Sequence, residues 1–531
     1  MNALNRLLTS AAIGLAVSVT SFSAFAETPA NMLVIANRID DVTTIDPAES
    51  FEFAGSDISR NIYGRLAYLD PLDLATGYKP DLAESWEVSA DGKTITFPMR
   101  EGPKVASGNA VTAEDAAFSL QRVVLLNKTP AFILTQFGFT PENVAENIKA
   151  DGNKLILTTD KKYATSFVLN CLTATLGAIV DKATVMANEV DGDMGNTWLK
   201  TNSAGSGPYK LDSWKPNESV TLSLNPNFDG DKPAMERVIV RHVTESASQR
   251  LLLERGDIDI ARNLNPEDIA GVTAAGGVKV EDELKGRLMY LALNGKHPVL
   301  SKPEVRQAFK YLIDYEGMVN SFLKGQYTIH QNFLPATYLG ASNENPFTYN
   351  IEKAKELLAA AGVENLEVEI GVREAQERIE IGQTFQNAAA QAGIKVNITV
   401  GTAKQILARY RARDLDVYLG AWGPDYPDPQ TNAGTFAYNP DNSDEANATG
   451  LLAWRTGWDA GDLSGKVDAA VTEGDLEKRV QMYQEIQKEF REVSPFVIMF
   501  QQIEQSALRE NVTNWSTGQA VTSAAYWQVT K

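Results

Sequence analysis

The sequence predicts an α/β protein of at least two lobes, and three observations carry that reading. The chain has 531 residues, more than one hydrophobic core serves, so it should divide. Alternating strands on either side of Asp-Gly pairs mark hairpins in the first third, and helix-type periodicity alternates with strands later. Hydrophobic residues at 44% and charged ones at 22% are ordinary for a globular protein.

Residues 1–26 stand apart. Arg6, the apolar run from Ala11 to Val19 and Ala24-Phe25-Ala26 before Glu27 have the build of a secretory signal peptide, cleaved after Ala26. No Cys follows the apolar run, so the expectation is an exported chain that is not a lipoprotein, and no later stretch has the length of a membrane span. "LVIANRIDDVTTIDPAES" then opens as a strand and turns through Asp46-Pro47. "WEVSADGKTITFPMR" alternates about Asp91-Gly92, putting Trp86, Val88, Ile95, Phe97 and Met99 on one face of a hairpin, and a second hairpin turns at Asp151-Gly152.

Helix starts coincide with apolar periodicity. Thr112 with Asp115, Ser246 with Gln249 and Ser301 with Glu304 have capping-box spacing or a close variant. In "NIEKAKELLAAAG" the residues Ala354, Leu357, Leu358 and Ala361 share a face and Gly362 supplies a stop; Leu476, Val480, Tyr483, Ile486 and Phe490 repeat the pattern near the end. With no repeat and no Pro- or Ser-rich linker, the chain should pass between lobes through short structured crossings.

Cys171 is the sole cysteine, so no intramolecular disulfide is possible and stability rests on core burial. Removing residues 1–26 takes away Arg6 alone and moves the net charge from −19 to −20. That balance argues against nucleic acid or an anionic membrane as partner. Neither a G-x-S-x-G elbow nor an H-E-x-x-H helix occurs, and His242, His297 and His330 lack metal-ligand spacing. "GSGPYK" at Gly205 lacks the form of a phosphate loop and reads as turn glycines; "DGDMGN" and "DNSD" read as solvated turns, not calcium loops. No catalytic residue, metal or cofactor is predicted.

Several collinear stretches resemble the family-5 extracytoplasmic solute-binding proteins, the peptide, dipeptide and nickel-type receptors of ABC importers. They are "PDLAESWEVSADGKTITFPMREG" from Pro80, "VTAEDAAFSLQRV" from Val111, "GSGPYKLDSWKPNESVTLSLNPNF" from Gly205 and "QRLLLERGDIDIA" from Gln249. "MYLALNGKHPVLSKPEVRQAFKYLIDYEGMV" from Met289 and "YQEIQKEFREVSPFVIMFQ" from Tyr483 continue the match over nearly the whole mature chain. The chain departs from the family at "PKVASGNA", where a His-Asp pair is usual, and at "LLAWRTGWDAGDL", which opens the question of the ligand. The resemblance implies a two-lobed periplasmic binding protein (type II, cluster C) with an extra β-rich subdomain inserted in the first lobe. On this reading 27–56, 195–270 and 500–531 form the core of lobe I, 57–194 the inserted subdomain and 271–499 lobe II. The implied function is capture of a small peptide or peptide-like solute in the periplasm, as a monomer, for delivery to an ABC permease. A sugar, oligosaccharide or sugar-amino acid conjugate is the alternative ligand, aided by Trp454 and Trp458; nickel carriage or a secreted hydrolase using Asp425 are weaker rivals.

The resemblance also implies a site. Trp422 to Pro429 read "WGPDYPDP", and family members carry a similar Trp-Gly-x-Asp-Tyr loop at the cleft edge, where the Asp pairs with a ligand ammonium. That points to Asp425, with Trp422 and Tyr426 as flat walls. Asp425 and Asp428 as solvent-facing turn residues is the other reading, preferred for Asp428. Arg373 stands where dipeptide receptors place an arginine for the ligand carboxylate, and Arg378 competes with it. Ser50, Phe51 and Glu52 would line the cleft from the first lobe. Trp454 and Arg455 would line it from the second, with core packing the alternative for Trp454.

Overall fold

The computed structural model describes residues 27–518 and 524–531; the leader read in residues 1–26 lies outside them. Among the described residues no helix is long and apolar enough to cross a membrane.

Two long antiparallel strands, Val278–Leu293 and Phe496–Arg509, run through the middle of an eleven-stranded sheet. Val278 to Leu284 pair with Arg509 to Ile503, and Leu288 to Ala292 pair with Gln501 to Phe496. Between these stretches the register shifts, and Lys285, Gly286 and Arg287 fall in the gap. On one side of the gap the sheet continues through Ile260–Ala261 to Met32–Asn37 and Arg237–His242; on the other it continues through Val417–Trp422 to Glu367–Arg373 and Lys395–Gly401. These halves are the two lobes, and the two shared strands are the structured crossings expected of a chain without a linker.

Each lobe buries its own core. Leu33, Ile35, Ile62, Val238 and Leu508 centre the first, together with Tyr526 and Val529 from the chain end. In the second, successive residues of one strand serve opposite faces: Met289, Leu291 and Leu293 pack in one cluster, Leu288, Tyr290 and Ala292 in the other. A further unit hangs on the first lobe. Its four-stranded sheet joins the two expected hairpins, Glu87–Val88 with Thr94–Pro98 and Ile148–Asp151 with Lys154–Thr158, over a core containing Phe97, Phe137 and Phe167. Val88 is exposed because its strand is the edge of that sheet.

The capping box at Thr112 is present: Asp115 N–H donates to Thr112 Oγ1 at 3.2 Å and Thr112 N–H to Asp115 Oδ2 at 2.9 Å, starting helix Ala113–Leu126. The other two boxes do not form. Helices Ser246–Arg255 and Pro303–Tyr311 have Glu245 and Lys302 at their caps, and neither side chain closes a hydrogen bond. Pro303, which has no N–H, fills the first helical position of the second. On helix Leu476–Val493, Tyr483, Ile486 and Phe490 are buried as expected, while Leu476 in its first turn is exposed.

One buried ion pair ties the further unit to the lobe that carries it. Arg122, on helix Ala113–Leu126, donates to both carboxylate oxygens of Asp46, at 2.6 and 2.5 Å, and Asn196 donates to the same carboxylate at 2.7 Å. Both charges are out of water, so each needs the other. The substitution Asp46→Ala is therefore expected to cost about 3–5 kcal/mol, because it strands a buried guanidinium. Urea denaturation measures this; a loss below about 1 kcal/mol would place the tie elsewhere.

Candidate functional site

Strand Val417–Trp422 runs out at the cleft between the lobes, and the acidic loop follows directly. Asp428 ends the loop as the cap of helix Pro429–Phe436, accepting from Gln430 N–H at 2.9 Å. It is fully buried, not solvent-facing, and grips Arg479 at 2.7 and 3.1 Å. Asn170, from the inserted unit, donates to it at 2.9 Å. Tyr426 crosses the same boundary: its ring lies 5.8 Å from that of Phe167, and its hydroxyl is 3.4 Å from Gln136 Oε1. Arg479 reaches Ser166 at 3.1 Å. The loop is thus pinned to both sides of the cleft by residues flanking Asp425 without using Asp425 itself.

Asp425 is held by its backbone, whose N–H donates to Thr431 Oγ1 at 3.1 Å. Among the described residues its carboxylate has neither a hydrogen bond nor an ion pair. Burial pushes its pKa up to about 7, and the charge of Arg455 only partly opposes this. Asp425 borders a cavity of about 150 Å³ walled by Ser50 and Phe51, by the turn at Thr173–Leu176 and by Gly423 to Pro427. Ser50 Oγ is buried there with no partner. Phe53 reaches across to Gly423, where an added Cβ would lie 3.5 Å from the ring. Beyond this contact lies a second cavity of about 470 Å³, bordered by Arg262, Lys285, Arg287 and Glu377.

The other expected residues divide between these places. Phe51 borders the first cavity, its ring edge-on to Phe132 at 5.9 Å. Glu52 borders neither cavity; it precedes helix Phe53–Ile62 and accepts from Phe51 N–H at 3.2 Å. Trp422 also stands back from both, edge-on to Phe436 at 5.6 Å. Arg373 ends strand Glu367–Arg373, and with Arg378 and Arg287 it makes a cluster of like charges in which the Nε atoms of Arg373 and Arg378 are buried without hydrogen bonds, that of Arg378 lying 3.8 Å from Glu377 Oε1. Burial and then Arg287 and Arg373 pull the Arg378 pKa down. Arg287 borders the second cavity and none of the three borders the first, so the cluster is outside the cavity of Asp425.

Trp454 lies in neither cavity. Its ring stacks under the Arg413 guanidinium at 3.6 Å and its Nε1 donates to Ser443 O at 2.8 Å. Arg455 donates to Thr449 O at 2.6 Å and sits over the Tyr410 ring. Trp458 packs against Phe490 and Phe496 in a lobe core. The histidines meet backbone: His242 Nδ1 accepts from Ile39 N–H, His297 Nδ1 from Val299 and Leu300 N–H, and buried His330, its pKa lowered to about 4 by desolvation, contacts Leu334 O. Sequence reasoning missed Phe53, Arg60, Arg65 and Arg287. The signals available were arginines set in the apolar run "ISRNIYGRLAYL" and a glycine inside the strand pattern at "LKGRLMYL".

An unpaired, partly buried carboxyl has a measurable signature. Between pH 4 and 7 the folded protein holds a proton on Asp425 that the unfolded chain releases, so its contribution to stability is present at low pH and lost as pH rises through about 7. The amide introduced by Asp425→Asn does not titrate, so the variant should gain melting temperature relative to the parent as pH rises from about 5 to 8. Carboxyl NMR should find the ligand-free group titrating near 7; a midpoint at the ordinary value of about 4 would mean it is solvated.

The geometry can now be set beside known proteins. The family model for bacterial extracellular solute-binding proteins, family 5 Middle, matches residues 77–444. The probable D,D-dipeptide-binding periplasmic protein of Escherichia coli is 28% identical over 505 residues, covering 93% of each chain. The dipeptide-binding protein of Pseudomonas aeruginosa is 26% identical, covering 78% of this chain and 80% of its own. An ABC transporter-associated periplasmic binding protein from Helicobacter pylori, solved with the peptide STSA, shares the fold with a TM-score of 0.76 at 22% identity, covering 94% of this chain and 98% of its own. With the family model spanning well over half its length, the chain belongs to the bacterial extracellular solute-binding proteins of family 5.

Proposed function

We propose that the protein is a periplasmic receptor of an ABC importer that closes its lobes on a small peptide with a free amino terminus and passes it intact to the permease. The observation that carries this reading is the unpaired carboxylate of Asp425 facing a cavity walled by both lobes. A lone, partly buried carboxylate is costly, and an entering ammonium offsets that cost with a charge-assisted hydrogen bond. Pro424, Pro427 and Pro429 restrict the loop before the ligand arrives, which lowers the ordering cost of binding.

The size of the cavity, about 150 Å³, suits a ligand of one or two short residues more than a long peptide. The peptide and dipeptide relatives support the same class. Ser50, with its free hydroxyl, Phe51 and Tyr426 complete the wall. The gap at Lys285–Arg287 is where the shared strands bend as the lobes close. A sugar ligand would call on aromatic faces, and Trp454 and Trp458 are both engaged away from the cleft. On this reading the receptor works as a monomer without metal or cofactor, and no bond of the ligand is made or broken.

Titration calorimetry with L-Ala-L-Ala, D-Ala-D-Ala and their N-acetyl forms tests the anchor. Asp425→Asn is expected to weaken whichever free dipeptide the parent binds by about 2–5 kcal/mol, while leaving acetylated forms unchanged. Equal binding of free and acetylated dipeptides by both proteins would sink the ammonium role. Free alanine accumulating in the calorimeter cell would point to a hydrolase instead.

A further inference from the structure

We propose that the cavity of Asp425 is built for a zwitterion, with Arg60 and Arg65 receiving the ligand's carboxylate; this rests on Asp425 taking the amine. Both arginines border that cavity, from the first lobe, opposite the loop that carries Asp425. Arg60 sits in the last turn of helix Phe53–Ile62, and Arg65 follows as the chain leaves that helix through an extended Tyr63. The helix end is held by a close approach. An added Cβ at Gly205 would lie 2.2 Å from Ile62 O, and Gly207 N–H donates to the same oxygen at 2.8 Å. The glycines of "GSGPYK" therefore allow the close packing at the helix end, in the stretch between the two arginines.

Both arginines also border a further cavity of about 340 Å³, shared with Tyr68, Asp81 and Trp527, and hydrogen bonds tie each guanidinium to the wall of the first. Arg60 Nη2 donates to Leu69 O at 2.8 Å and Arg65 Nε to Ala174 O at 3.2 Å, and Leu69 and Ala174 both border the cavity. Arg60 lies over the rings of Tyr68 and Trp527, 5.4 Å from each centroid, which fixes its plane. Both side chains are buried, Arg60 6% and Arg65 3% exposed, and the Nε of Arg60 has no partner.

Their charge is not balanced by the protein. Among the described residues neither arginine makes a salt bridge. The nearest carboxylates are Asp81, which accepts from Arg65 backbone N–H at 2.8 Å, and Asp70, which is paired with Lys79 at 3.0 Å. Burial pushes the Asp81 pKa up, weakening it as a counter-ion, and burial together with Arg60 pulls the Arg65 pKa down to about 9. Two buried cations without an ion pair of their own, near Asp81 and the Lys79-bound Asp70, make a site that an entering carboxylate completes. The Arg287–Arg373–Arg378 cluster does not compete, since it lies toward the other cavity beyond Phe53 and Gly423.

The test uses the full mature protein and three probes: the free dipeptide preferred by the parent, of L-Ala-L-Ala and D-Ala-D-Ala, its carboxyl-terminal amide and its N-acetyl form. The parent should bind the free acid at least about tenfold more tightly than the amide, and Arg65→Gln and Arg60→Gln should each shrink that ratio to within about threefold. A merely structural arginine would weaken acid and amide alike. Should a Gln variant fail to fold, Arg65→Lys keeps the charge but not the paired donors, and is expected to narrow the same ratio. Acid and amide bound equally by the parent would overturn the carboxylate role while leaving the amine anchor intact. A ratio unmoved in folded variants would also overturn it. Acetylated and free dipeptides bound equally, or no dipeptide bound, would remove the Asp425 reading and this one with it.

Discussion

Two hydrogen-bonded strands are shared by both lobes, and the sheet of each lobe is built outward from them. A ladder of backbone bonds resists bending, because each bond broken away from water leaves an unsatisfied donor and acceptor. Here the ladder is interrupted over Lys285, Gly286 and Arg287, and it shifts again by one residue between Met289 and Tyr290. Lys285 turns inward to the carbonyls of Thr517, at 2.8 Å, and Gly518, while Gln501 Nε2 donates to Lys285 O at 2.9 Å. The interruption is therefore satisfied by other means. The same crossing brings Arg287 beside Gly423, so the joint between the lobes and the edge of the cleft are a few residues apart.

Asp425 and Asp428 show how one side chain acquires two roles three positions apart. Asp428 meets a bidentate arginine, an amide and the N–H of a following helix, so it can be fully buried and charged. Asp425 meets none of these, and its carboxyl rises toward neutral pH. The first is the fastening that allows the second to stay unfastened. Tyr426, between them, turns its ring into the core of the inserted unit, so the loop cannot relax toward a partner for Asp425 without leaving that core.

The legible parts of the sequence were those set by local chemistry. The hairpins at Asp91-Gly92 and Asp151-Gly152, the box at Thr112 and the helix bearing Tyr483 need only neighbours a few residues away. The acidic loop was legible through its resemblance to a family loop. What could not be read depends on distant partners. Asp428 is buried because Arg479 and Asn170 arrive from elsewhere in the chain, and Trp454 is taken up by Arg413 and Ser443. Ser246 has the spacing of a cap, yet its hydroxyl is drawn to Asp268. Arg60 and Arg65 sit in an apolar run whose pattern says only that they are buried. That they border the cavity of Asp425 depends on walls brought from far away in sequence, Thr173 to Leu176 and Gly423 to Pro427.

The interrupted ladder separates two quantities that a measured dissociation constant combines. One is the hold of the closed cleft on its solute; the other is the fraction of empty molecules already closed, by which the apparent constant is scaled. On the reading proposed above, the first belongs to the cavity walls, the second to Lys285, Gly286 and Arg287, which border the other cavity. Receptors with the same walls could thus differ in affinity through a change at the joint alone, with their selectivity among solutes untouched.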